Sequence, residues 1–171
     1  MTAGSAGVVV AVDVVAAVAD PELPMVTLAD LGILRDVRVK PDGGVDVAIT
    51  PTYSGCPAMV TIRDDIVAAL ARAGFGAVNV RTVLSPAWTT DWITESGKAK
   101  LAAAGIAPPG AAPKRGAGPV PLMLGKRRTE VACPRCGHGD TEQIAAFSAT
   151  ACRELRRCPA CQEPFEHVKE I

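Results

Sequence analysis

Five of the six cysteines fall within the last 39 residues, and their spacing is that of a metal site. Cys133 and Cys136 form one C-x-x-C, Cys158 and Cys161 form another, and 21 residues separate the two. That gap is close to the usual distance between paired zinc knuckles. Each C-x-x-C sets two sulfurs on one tight turn, and Pro134, Gly137 and Pro159 suit such turns. Four thiolates complete a tetrahedral Zn²⁺ shell with no open position, so the expected role is structural. An iron site of the rubredoxin type would use the same four ligands. A segment of about 40 residues is too small for a sufficient core, so the metal is expected to supply folding energy. Cys152 is left over and is read as core, with ligand replacement and redox pairing as the other options. His138 and His167 are expected at the surface or just outside the ligand shell. Arg135, Arg153, Arg156 and Arg157 are expected to give the module a basic face, either solvated or used for docking.

The sixth cysteine, Cys56, stands alone in "TPTYSGCPAM" (50–59). Pro is favoured at the first position of a helix, where its missing N–H is no loss. Pro57 in that position makes Cys56 the expected N-cap. The unpaired N–H groups and dipole of a helix N-terminus stabilise a thiolate and lower its pKa. A free Cys is equally at home as a small buried hydrophobe. One thiol is also too few ligands to hold a metal or a cluster alone. It needs a second subunit, a mobile residue or an exogenous ligand.

These groups need elements to position them. "VVVAVDVVAAVA" (8–19) reads as a helix ending before Pro21. "LRDVRVK" (34–40) and "VDVAIT" (45–50) alternate around the turn "PDGG", the pattern of a β-hairpin. Residues 57–74 form the next helix, with Met59, Ile62, Ile66 and Leu70 as one apolar stripe and Gly74 as its stop. "AVNVRTVL" (77–84) is a third strand, reached by a right-handed crossover and therefore parallel to 45–50. A short helix covers 96–105. The fold class is α+β: a small mixed β-sheet with helices on one face, followed by a C-terminal zinc ribbon. The body spans 8–105, a Pro/Gly-rich linker 106–121 and the ribbon 122–171. The linker, with five Pro and three Gly in 16 residues, is expected to bury little. Trp88 and Trp92 are read as packing residues.

Composition excludes several functions. Residues 1–105 carry 8 Lys/Arg against 11 Asp/Glu, and residues 106–171 carry 10 against 7, so neither part has the excess of a nucleic-acid binder. Aromatic content of 4% argues against stacking platforms for single strands. No apolar run reaches 18 residues, so no membrane span is expected. The N-terminus lacks a basic segment and contains Asp13, which reads as cytoplasmic rather than secreted. No Walker loop and no G-x-G-x-x-G follows a strand, which disfavours a nucleotide-driven carrier.

"DPELP" (20–24), "LADLGIL" (28–34), the Gly-Cys-Pro loop within "TPTYSGCPAM" (50–59) and "SPAWTTDW" (85–92) together resemble the metal–sulfur cluster assembly domain of SUF-associated and cytosolic iron–sulfur targeting factors. The resemblance covers about residues 8–95. It implies a role in iron–sulfur maturation, with Cys56 as reactive thiol and Asp20 as a nearby acidic residue. Asp before Pro also commonly caps a turn, so both roles stay open for Asp20. With the Pro-rich arm and "FSATACRELRRCPACQEPFEHVK", nearly the whole chain resembles D subunits of phenylacetyl-CoA epoxidases. That implies an accessory subunit of a monooxygenase in aerobic phenylacetate degradation, not its catalyst. The implied partners are the other epoxidase subunits, the iron–sulfur reductase subunit first among them. The implied cofactors are structural zinc and a transient iron–sulfur cluster or iron. A homodimer would bring two Cys56 thiols to one cluster. The alternatives are a Cys56-dependent acyl-CoA thioester enzyme and a purely structural docking subunit. The enzyme needs a general base, and the two histidines both lie in the tail.

Overall fold

Alternating apolar residues build the first sheet of the computed structural model, which describes residues 3–112 and 130–171. Strands β1 (Leu34–Val39) and β2 (Val45–Ile49) pair antiparallel, with Val37 opposite Val47 and Val39 opposite Val45. The turn needs its glycine: Gly43 has φ +83°, a region that costs an L side chain strain. Helix α2 (Ala58–Arg72) then carries the chain to β3 (Val78–Thr82), which pairs parallel to β2. The expected hairpin and parallel crossover are both present, and β2 is the central strand. Val45, Val47 and Ile49 are fully buried, and Ala48 on the opposite face is buried too.

The α2 stripe is Ala58, Ile62, Ile66 and Leu70. Met59, expected in it, is only half-buried, because Ala58 faces the core one position earlier. The helix ends as expected at Gly74 (φ +87°), with Gly74 N–H donating to the Ala71 carbonyl and Phe75 N–H to that of Leu70. That pair of bonds satisfies carbonyls the helix end would otherwise leave unpaired.

Helix α1 runs Ala3–Ala16, not 8–19. It stops early because the next residues find partners in a loop that folds back on itself. Ala19 bridges Thr27, Leu28 N–H donates to the Val18 carbonyl, and Asp20 N–H donates to that of Val26. α1 contacts β1 and α2, and α2 contacts β3. Trp88 is buried, with Nε1–H donating to the Leu31 carbonyl at 2.8 Å. Trp92 packs on Gly32, where an added Cβ would lie 2.6 Å from the Trp92 Cβ. Both tryptophans therefore pack, as expected. Asp30 accepts from Thr27 N–H, from the Thr27 and Thr94 hydroxyls and from Lys100 Nζ. Burial raises its carboxyl, but Lys100 and Thr27 hold it below its ordinary value.

The chain divides into two compact units, Met1–Lys100 and Leu101–Ile171. Helix α3 (Glu95–Ala103) leads into the second unit. There β4 (Glu142–Ala145), β5 (Arg153–Arg157) and β6 (Pro164–Val168) form an antiparallel sheet in that order. Its core is small: Ala107, Val131, Cys133, Cys158 and Phe165. The linker expected over 106–121 is not loose at its start. Ile106 and Ala107 are buried. Ala107 N–H donates to the Glu166 carbonyl at 2.8 Å, and its carbonyl accepts from Val168 N–H at 3.1 Å. A lone backbone strand satisfies β6 there. Residues 113–121 lie outside the described residues.

Candidate metal centre and thiol site

The two C-x-x-C segments fold into matching turns. In the first, Gly137 N–H donates to the Cys133 carbonyl and Cys133 N–H to that of His138, both at 2.9 Å. In the second, Gln162 N–H donates to the Cys158 carbonyl at 2.9 Å and Cys158 N–H to that of Glu163 at 3.0 Å. Both turns need the left-handed region just after the second cysteine. Gly137 supplies it at φ +75°, whereas Gln162 adopts φ +64° with its side-chain amide donating to the Pro159 carbonyl.

The turns face each other, and all four sulfurs lie within 4.8 Å of one another. Cys133 and Cys161 Sγ are 3.7 Å apart, and Cys136 and Cys158 Sγ are 3.5 Å apart. A tetrahedral ion with metal–sulfur bonds of about 2.3 Å places its sulfurs about 3.8 Å apart, so the donor set fits an ion of zinc's size. Backbone N–H groups support the sulfurs unequally. Cys158 is drawn down to about 6, first by the Cys161 N–H and further, against burial, by the Ala160 N–H and the facing thiols. At Cys136 the His138 N–H pulls down, but the Cys158 thiol, desolvation and the other two thiols together push it up to about 12.

Several expectations for this unit are overturned. The basic face is absent as such: Arg153 and Arg156 are buried, and of the four arginines only Arg135 and Arg157 are exposed. Arg153 Nη1 meets Glu166 at 2.5 Å, and Arg156 Nη1 meets Glu154 at 2.6 Å. Arg156 also donates to the Thr141 hydroxyl and carbonyl. His167 is not a surface group but 1% exposed. Its Nδ1 lies 3.0 Å from Glu154 Oε1. Burial raises the Glu154 carboxyl, yet Arg156 and then His167 hold it below its ordinary value. The reason is cross-strand pairing, which sets Glu154 opposite His167 and lets strand charges neutralise each other inside. The signal was present as alternating charge on two strands, but sequence alone does not say which residues face each other. Cys152 lies outside the four-cysteine group, half-buried, with Sγ 3.1 Å from the Thr150 hydroxyl.

Cys56 also lies outside that group. It closes a turn, its N–H donating to the Tyr53 carbonyl at 3.1 Å, and it is half-buried. Helix α2 begins one residue later than expected: Pro57 occupies the cap position, already with helical φ −69° and ψ −24°. Proline's fixed φ lets it turn the chain into the helix. Cys56 therefore directly precedes the cap, and its carbonyl faces Met59 N–H at 3.5 Å. Asp20 is buried, and Oδ1 accepts from Glu22 and Leu23 N–H, both at 2.9 Å. This is the turn-capping role.

Comparison with known proteins follows the same division. A family model described as the PaaD zinc beta ribbon domain matches residues 117–169, and one described as an iron–sulfur cluster assembly protein matches residues 10–82. The chain is 41% identical over 152 residues to an Escherichia coli protein provisionally named as the D subunit of 1,2-phenylacetyl-CoA epoxidase, covering 89% of this chain and 86% of that one. The chain belongs to the family of phenylacetyl-CoA epoxidase D subunits. Its first part is also 34% identical over 83 residues to a Porphyromonas gingivalis Fe-S protein maturation auxiliary factor, covering 48% of this chain and 78% of that one. A solved Bacillus anthracis domain of unknown function, DUF59, superposes with TM-score 0.54 at 26% identity, covering 57% of this chain and 93% of that domain. In this family member the assembly match holds Cys56 and Asp20, and the ribbon match holds all four clustered cysteines. Among the described residues no helix is long and apolar enough to cross a membrane.

Proposed function

We propose that this protein is a cytoplasmic accessory factor that helps assemble iron–sulfur or iron centres of a phenylacetyl-CoA epoxidase, with Cys56 as the thiol that handles the cargo. An association with iron–sulfur assembly rests on the family match over residues 10–82 and on the maturation factor similar to that segment. The observation that carries the finer reading is Cys56 itself: a half-buried thiol in that segment, at the entry to α2 and outside the four-cysteine group. The four clustered cysteines would hold Zn²⁺, which supplies folding energy and, being fully ligated, no open position for chemistry. The ribbon then acts as a structural and docking module for other epoxidase subunits, with the iron–sulfur reductase subunit as client. Asp20 contributes by fixing the loop after α1. A second copy of the chain would complete the ligand set around a cluster held by Cys56.

Anaerobic reconstitution of the full chain with iron and sulfide tests the reading. Wild type is expected to hold about one zinc and to gain visible absorbance with bound sulfide. Cys56→Ala is expected to keep the zinc and lose that absorbance. Zinc alone in both proteins would sink the carrier role and leave a docking subunit. A covalent acyl adduct on Cys56 with a CoA thioester would favour the enzyme instead.

A further inference from the structure

Strand β3 is an open edge of the first sheet: among the described residues it pairs with β2 alone. Val45 N–H donates to the Ala77 carbonyl and Val83 N–H to the Ile49 carbonyl, both at 2.8 Å. A parallel strand turns alternate residues towards its neighbour. Residues 77, 79, 81 and 83 therefore face β2, and the backbone N–H and C=O groups of Val78, Val80 and Thr82 point out of the sheet edge. Such a row is a template for one more strand.

The side chains of the same three residues lie on the face that α2 covers, in register with Val45, Val47 and Ile49. The β2 residues are fully buried, whereas Val78 and Val80 are half-buried and Thr82 is exposed. The cover thus stops short of the edge. Above it, Val60, Arg63 and Val67 form one line along α2 at i, i+3 and i+7. The Arg63 guanidinium donates to the Thr82 hydroxyl at 2.8 Å, which sets that line beside β3. Val60 is 69% exposed, Val67 41%, and Leu84, just past the strand, 62%. Exposed apolar groups and outward backbone therefore share one edge.

Charge narrows what can lie there. Residues 75–84 hold one cation, Arg81, and no carboxylate. Arg81 is exposed on the sheet's other face, with Asp36 at 3.9 Å. Asn79 beside it donates to Asp46 of β2. Asp64 lies further round α2, away from the sheet. A chain laid along β3 meets valines on one face and Arg81 on the other, and opposite charges on adjacent strands attract. The edge also leads to the thiol. Because β2 and β3 are parallel, β3 ends on the side where the chain leaves β2 for Cys56 and α2.

We propose that the edge of β3, with Val60 and Val67 above it, seats one extended strand of the client protein, apolar at alternate positions and carrying a carboxylate on its other face. The proposal rests on the reading of Cys56 as the cargo thiol, since the seated strand brings the client to that end of the sheet.

Amide exchange of the zinc-loaded full chain, alone and with the reductase subunit of the epoxidase, tests it. Val78, Val80 and Thr82 are expected to slow about tenfold in the complex, as for amides that gain a hydrogen bond, while Asn79 and Arg81 hardly change. Val60→Asp and Val67→Asp alter exposed helix positions and should each weaken the complex about tenfold, the loss of one buried valine. Val10→Asp, on the exposed side of α1, should leave it unchanged. No complex, or a complex without the alternating protection, would overturn the proposal. So would protection of the three amides in the free chain, which would mean that the chain itself or a second copy covers the edge. Cys56→Ala separates this from the cargo reading. It should dock as wild type does, so failed cluster reconstitution with β3 still protected would sink the cargo role alone.

Discussion

The molecule holds thiols in two very different ways. In the ribbon four sulfurs converge, each knuckle closed by its own pair of backbone hydrogen bonds. At the entry to α2 a single half-buried sulfur sits on a turn. With a zinc ion bound, the first arrangement would have no coordination position left, so it would stabilise and not react. The second can hold nothing alone, so its chemistry requires a cargo, a partner or another copy. The proposed function assigns stability and reactivity to separate cysteines. Changes at each should report on different observables.

The largest expected effect is in the ribbon. Cys158→Ser removes one of the four converging sulfurs and with it a ligand of the proposed zinc shell. Zinc content should fall towards zero, and the ribbon amides should lose their exchange protection, since structural zinc supplies about 10–16 kcal/mol in small zinc modules. Unit 1 should keep its own unfolding transition. Retained zinc and protection would show that three cysteines suffice, with Cys152 as the obvious substitute.

Acid should separate the two regions as well. Protons compete with the metal for thiolates, so zinc leaves the ribbon as pH falls. In unit 1, Asp30 has a carboxyl held below its ordinary value. Its stabilising contribution is therefore present above the unfolded value of about 4 and is lost only as pH falls through the lower folded one. Zinc release, followed with a chelating dye, should precede the fluorescence change of Trp88 and Trp92, which both lie in unit 1. Coincident transitions would mean that the regions do not unfold independently.

Asp20→Ala should cost about 1 kcal/mol, the size of a lost carboxylate cap, read as a lower midpoint in urea. Cluster reconstitution on Cys56 should survive it. Loss of reconstitution at unchanged stability would make Asp20 part of the cargo site rather than of its scaffold. The smallest effect belongs to the difference between the knuckles. Gln162→Gly relieves a left-handed residue but removes the side-chain bond to Pro159, so the melting temperature should move by only a degree or two, about 0.5 kcal/mol. A large loss would show that this side chain, not the turn, organises the second knuckle.

What could be read beforehand was what depends on neighbours in the chain. The hairpin around Gly43, the α2 stripe apart from Met59, the glycine stop at Gly74 and both C-x-x-C turns are local, and each is where its residues put it. The end of α1 is not legible in the sequence, because nothing in Val18 and Ala19 themselves ends a helix, and their contacts with Leu28 and Thr27 decide it. Arg153, Arg156 and His167 looked like surface because charged residues usually are. Their burial depends on partners 2 to 15 residues away in the chain.

The sequence by itself determined the two C-x-x-C turns, because two sulfurs three positions apart on one turn need no distant partner to be positioned. It also determined the α+β body, because hydrophobic period sets which face each element buries. Only the tertiary structure decided that Arg153, Arg156, Glu154 and His167 are buried in contact with charged or polar partners, and that Ala107 joins the ribbon sheet. Cross-strand register and backbone pairing fix those neighbours, and neither is encoded in the spacing of residues along one strand.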